Sequence, residues 1–372
     1  MGYLSPTPMT IPPPAVVEPA VASAADGVPD SPAVFLIHAA EGAPYLGRTA
    51  LLRRRLRRML KAGSAPSRFL RLAEVARRVE YWLTHSGLEA MLVQYELARR
   101  YFPDHYLSLL KLRPPAFVHL TLSNRFPRTM VTTRPGRGVT YGPFRTRTGA
   151  EQFEARLLDL FQIRRCQEDL SPSPEHPGCI YGEMGMCLRP CQLVVGEEEY
   201  ASEVERVAEF LRSGGQSLVQ VIRNARDRFS QELRFEDAAR EHKRLEKVEA
   251  ALKLRDELAA ECGRLCGVAV TRSAEPESVC LWFVTGGCFT KPRVFSYAAA
   301  GGESVSLDRR LREMAAAVEA VKLSAQRRSE HLALLARWFY SSWRDGEWLA
   351  FDSLDQIPYR RLVRAIHRVA AL

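Results

Sequence analysis

The chain has 372 residues with 53 Lys and Arg against 43 Asp and Glu, a formal charge of +10. That length can hold two or three small domains, and the basic surplus points to nucleic acid or an acidic membrane surface. No apolar run reaches the roughly 20 residues of a spanning helix and no signal peptide opens the chain, so a cytoplasmic protein is expected. Eight cysteines in a reducing compartment suggest metal binding before disulfides.

Residues 1–30, rich in Pro, Ala and Val, read as a disordered leader outside the fold. AVFLIH (33–38), a turn at Glu41–Gly42 and PYLGR (44–48) read as two short strands. Thr49 is expected to cap a helix to about Lys61, stopped by Gly63. Arg48, Arg53, Arg54, Arg55, Arg57, Arg58 and Lys61 bring seven positive charges without an acid. Surface helices normally mix signs, so phosphate contact is the reading for this stretch.

A helix over 67–78, a strand over 79–84 and a helix from Ser86 follow. Ser86 with Glu89 forms a capping box, and Leu88, Met91, Leu92 and Tyr95 recur on one face. Gln94 stands at the edge of that stripe. Strands are expected at 117–122 and 128–133, and YGPF (141–144) as a turn into a helix over 150–161. Cys166, Cys179, Cys187 and Cys191 come next, spaced unlike a CxxC finger, so zinc and iron–sulfur both remain open. Helices over 198–212, 217–232 and 236–261 follow, the last two forming a hairpin turned at Leu233–Phe235. Strands are expected at 267–271, 279–284 and 293–297, with Gly286–Gly287 as a hairpin turn, and helices fill the rest. The aromatic stretch around Trp338 and Trp343 reads as core packing. Cys262 and Cys266, placed on a helix end, and Cys280 and Cys288 read as buried thiols rather than a second metal site.

The order PYLGR, basic helix, capped Ser86 helix, YGPF, spaced cysteines and LRFEDAA resembles the UvrC family of nucleotide excision repair, from about Ala33 to Glu261. The resemblance implies an α/β fold: a GIY-YIG-type mixed sheet at 31–111, a bridging segment at 112–165 and a cysteine-cluster segment at 166–197. It further implies a helical region at 198–261 and a partial RNase-H-like remnant at 262–372. Carried over by position, it makes Tyr45 the catalytic tyrosine of the second strand, Arg55 the helix arginine, and Arg48 the place of a lysine.

Three positions depart from that pattern. Phe35 replaces a tyrosine, Gln94 replaces the metal-binding glutamate (MLVQ for LLLE), and Leu107 falls near an expected asparagine. An amide adds no net charge for Mg or Mn, so metal-assisted phosphodiester hydrolysis is expected to be weakened or lost. The alternative is an endonuclease making a single incision near a lesion, and a third reading is a regulator that binds protein only. CIYGEMGMCLRPC implies a four-iron cluster held by the four cysteines, with zinc as the alternative. Leu233, Phe235, Ala238 and Ala239, with Leu245, resemble the UVR motif that pairs with a UvrB-like damage-loading subunit. Double-stranded DNA is the implied ligand. No second nuclease site is legible; Asp352 and Asp355 read as surface caps.

Overall fold

In the computed structural model the described residues are 12–17, 26–60, 75–298 and 306–371. The protein is mixed α/β, and its contacts divide it into two compact units. One gathers residues up to 113 with 266–322 and 337–372; the other holds 114–265 and 323–336.

The first stretch of chain contains β1 (Ala15–Val17), β2 (Ala33–Ala39), β3 (Tyr45–Thr49), α1 (Leu52–Leu60), β4 (Ala76–Leu83), α2 (Gly87–Tyr101) and the short α3 (Tyr106–Leu109). The strands form an antiparallel sheet in the order β1-β4-β2-β3. The apolar run in β2 is continuous because both faces of this sheet are covered. Phe35, Ile37 and Val79 pack with Leu52, Leu56 and Met59 of α1, while Val34, Leu36 and Trp82 pack with Ala90, Val93 and Leu97 of α2.

Described parts of residues 1–30 are structured, contrary to a disordered leader. Ala15–Val17 pair with β4, the Trp82 indole N–H donates to the Pro12 carbonyl at 2.8 Å, and Val28 is buried in the α1 core. A Pro- and Ala-rich stretch has little periodicity, so its edge pairing has no local signature. The helix expected over 67–78 falls mostly outside the described residues, as do Lys61 and Gly63, but β4 already begins at Ala76.

The capping box on α2 forms. Ser86 Oγ accepts the Glu89 N–H at 3.1 Å, and the Glu89 carboxylate accepts the His85 N–H at 2.7 Å. The Gly87 N–H is satisfied by the Asp345 carboxylate, which also accepts the Trp338 indole N–H at 3.0 Å. A side chain at Gly87 would meet the Trp343 ring at 2.9 Å, so only glycine lets the helix start there.

The second unit is built on β5 (Ala116–Thr121), β6 (Thr129–Thr132), β7 (Gly138–Phe144), α4 (Arg147–Leu158), the one-turn α5 (Ile180–Glu183), α6 (Glu197–Arg212), α7 (Gln216–Gln231), α8 (Phe235–Leu252) and β8 (Ala260–Glu261). Its sheet order is β6-β5-β7-β8, again antiparallel. YGPF is therefore strand rather than turn: Tyr141 stacks on Phe153 at 5.3 Å, and both belong to the core. The turn into α4 comes at Thr146, whose hydroxyl accepts the Gly149 N–H at 3.0 Å. The helix expected over 236–261 stops at Leu252. Asp256, beyond it, accepts the Arg145 N–H at 2.6 Å, and Ala260–Glu261 pair with β7.

The last stretch adds β9 (Cys266–Arg272), β10 (Ser278–Thr285), β11 (Cys288–Phe289), β12 (Arg293–Ser296), α9 (Leu307–Ala316), α10 (Ala325–Phe339), β13 (Gly346–Phe351) and α11 (Tyr359–Ala370). Strand order is β11-β10-β9-β13 with β12 also on β10, every pair antiparallel. Gly286 and Gly287 both take positive φ, +55° and +74°, as a two-residue hairpin turn between β10 and β11 demands. Val268, Val270, Leu281 and Phe283 of this sheet share a core with Leu311 of α9 and Leu362, Ile366 and Val369 of α11. Trp338 is fully buried. Among the described residues no helix is long and apolar enough to cross a membrane.

Candidate functional site

Strand pairing sets Phe35 directly opposite Gly47, and the Phe35 ring lies over the glycine: a Cβ there would sit 2.5 Å from the ring. Phe35 is completely buried. The half-buried Tyr45 lies 6.1 Å from it, ring centroid to centroid, on the face covered by α1. Gln94 is half-buried on α2, the helix that covers the opposite face. Arg48 alternates with Tyr45 along β3 and is exposed. Leu107 lies in α3, half-buried and without a polar group to offer. Thus Phe35, Tyr45 and α1 with Arg55 share one side of the sheet, whereas the helix of Gln94 lies on the other.

The basic helix α1 keeps much of its charge for its own chain. The Arg53 guanidinium donates to the Val28 carbonyl at 2.6 Å, and Arg57 donates to Asp26 at 2.8 Å. The Arg54 backbone N–H is held by Asp30 at 3.2 Å. Arg54, Arg57 and Arg58 are exposed and Arg55 is half-buried.

All four cysteines of the 166–191 segment line one small pocket, with Arg164, Arg165, Leu170, Tyr181 and Pro190. Cys187 and Cys191 are buried, Cys166 is half-buried and Cys179 exposed. Burial pushes the Cys187 thiol up to about 11, the Arg189 N–H opposes this, and the other three sulfurs raise it further. Four soft donors that repel one another as thiolates are the chemistry a metal centre relieves. Among the described residues, however, no three such side chains close to metal-holding spacing.

Arg164 carries no motif or periodic signal in the sequence. It is 1 % exposed, donates to the Phe126 and Glu168 carbonyls at 2.8 and 2.7 Å, and lies 3.6 Å from the Cys166 sulfur. The Arg189 side chain lies over Gly182, close enough that a Cβ there would meet it at 2.7 Å.

The helical hairpin exposes its tip. Leu233 is 73 % and Phe235 64 % exposed; Ala238 is half-buried and Ala239 exposed. Leu245, expected in the same strip, is instead buried in the unit's core. Arg234 and Arg240 both bind Asp237, which fixes these charges to each other at the start of α8. Cys262, Cys280 and Cys288 are buried and Cys266 half-buried. Cys262 follows β8 and Cys266 opens β9, so neither sits on a helix end.

Residues 117–210, from β5 through most of α6, match the family model of the UvrC/Cho excinuclease middle domain. The UvrABC system protein C of Moorella thermoacetica is 30% identical over 265 residues, 70% of this chain and 43% of that protein. The corresponding proteins of Geobacter sp. (strain M21) and Natronomonas pharaonis are 24% and 28% identical, covering 73% and 62% of this chain and 42% and 40% of their own. No solved structure matches. The chain belongs to the UvrC family. It spans less than half the length of these relatives.

Proposed function

We propose that this protein is a DNA-binding and partner-docking member of nucleotide excision repair, with incision weakened or lost. The observation that carries the reading is the match over 117–210, which covers β5, β6 and β7 of the second unit's sheet together with the four-cysteine pocket. Weak incision is supported by Phe35 and Gln94. The first is a buried ring without a hydroxyl to orient water, and the second is an amide where charge on oxygen is needed to hold Mg or Mn. The exposed cations of α1 and Arg48 supply phosphate contacts on the GIY-YIG-like sheet.

The cysteine pocket suits a four-iron cluster, with zinc as the alternative. Such a centre would staple a segment with little regular structure, and Arg164 would balance its negative charge. The exposed Leu233 and Phe235 offer an apolar tip to a UvrB-like subunit. The second reading, a single-incision endonuclease, draws on the half-exposed Tyr45 and on Arg55.

A nicking assay on damaged duplex with Mg or Mn and the loading partner decides between them. No cutting by the native chain, and cutting gained by Phe35→Tyr with Gln94→Glu, supports the first reading. Robust native cutting that disappears in Tyr45→Phe establishes the second. Iron and absorbance analysis of anaerobically purified protein tests the cluster, and a protein lacking both iron and zinc would refute it.

A further inference from the structure

Helix α11 reads YRRLVRAIHRVA and holds no acid. Its inner face, Leu362, Ile366 and Val369, is buried against the third sheet. Its outer face is basic: Arg360, Arg361, Arg364, His367 and Arg368 are all exposed. Of these, Arg368 is paired, to Glu347 at 2.9 Å. Among the described residues no ion pair engages Arg360, Arg361, Arg364 or His367.

The neighbouring helix differs. On α9, Arg309 pairs with Glu313 at 3.2 Å and Arg312 with Asp308 at 2.9 Å, and Arg312 also lies over the Tyr359 ring. Of these two helices, only α11 presents exposed arginines that no ion pair engages among the described residues; Arg310 of α9 is held by the Ala298 and Ser296 carbonyls.

A helix selected for stability alone would not be built this way. Arg360 and Arg361 stand in the first turn, where the helix dipole favours acids. Arg360, Arg364 and Arg368 follow one another at i,i+4, where like charges repel. Both placements lower stability and become favourable once a polyanion lies along the face. Four residues rise about 6 Å along the helix, so the guanidinium groups form a row that a nucleic-acid strand with regularly spaced phosphates can follow.

We propose that the outer face of α11 is a second, sequence-independent DNA-binding surface, made by Arg360, Arg361 and Arg364 on the phosphate backbone of duplex DNA. The inference rests on the reading of the protein as a DNA-binding one. It adds a surface in the part of the chain, 262–372, to which no ligand was assigned.

The test is binding of a fluorescein-labelled undamaged duplex by the full chain across a salt series. Replacing Arg360, Arg361 and Arg364 together by Gln should lower the slope of log K against log salt by about 2 to 3. The melting temperature should stay or rise, because only repulsive contacts are removed. A slope unchanged from native, or a lower melting temperature, would overturn the proposal while leaving the DNA reading intact. A native chain that fails to bind duplex sinks the DNA reading itself, and if it binds phosphatidylserine vesicles instead, α11 is a membrane-facing helix.

Discussion

Helices α1 and α11 are both amphipathic and arginine-rich, and neither carries an acid. In the structure they spend that charge differently. α1 turns Arg53 and Arg57 back onto Val28 and Asp26, whereas α11 leaves Arg360, Arg361 and Arg364 facing outward without ion pairs among the described residues. The same composition therefore serves on one helix to hold an N-terminal stretch and on the other to present charge. Counting arginines does not find the stronger phosphate surface. What separates the two helices is which guanidinium groups the chain itself engages: Arg53 and Arg57 of α1 are held by the N-terminal stretch, whereas Arg360, Arg361 and Arg364 form a continuous outer row.

The comparison can be broken or sharpened by experiment. The largest effect is expected from removing the anchor that orients α11: Leu362→Ala, at 1 % exposure, should cost about 2–5 kcal/mol in denaturant unfolding. Loss of DNA binding in that variant should track unfolding, unlike the loss in the folded arginine variant.

A second condition concerns pH. Burial holds His119 below the usual histidine range, opposed in part by its hydrogen bond with the Val139 backbone. Below about pH 6.5 the unfolded chain takes up this proton while the folded one does not. Stability is therefore full above that value and falls as pH drops towards the depressed folded value, by at most about 1.4 kcal/mol per pH unit from this one group. His119→Gln should flatten the corresponding part of a thermal-melting profile. Binding comparisons between α1 and α11 variants belong above pH 7.

Ser86→Ala should cost about 1 kcal/mol by leaving the Glu89 N–H without its cap acceptor. That measures a conventionally capped helix, α2, against the two basic ones. The smallest stability change, about 0.2–1 kcal/mol, is expected for Asp26→Asn, because the Arg57 pair is more than half exposed on both sides. Freed from its partner, Arg57 should steepen the salt slope for duplex binding by up to about 0.9. An unchanged slope would show that α1 does not meet phosphate through Arg57.

Much of the local structure was legible. The apolar run at 33–38, the capping box, the Gly286–Gly287 turn and the α6–α7–α8 helices follow from periodicity and caps acting over a few residues. The misses have a common origin. YGPF carries turn residues, yet pairing with β5 and β8 makes it a strand. Leu245 shares helical spacing with the exposed strip yet is buried, because spacing shows that a face is apolar but not what covers it. The acidic partner of Arg57 lies 31 residues upstream, in a stretch without a helical or strand pattern.

The sequence by itself determined the family, the α/β class and the acid-free basic character of α1. These depend on residue type and short spacing alone. Only the tertiary structure decided that Phe35 lies over Gly47, that four cysteines spread over 26 residues face one pocket with buried Arg164 beside them, and which arginines remain unpaired. Those facts turn on contacts between distant segments, where burial and charge pairing leave no periodic trace along the chain.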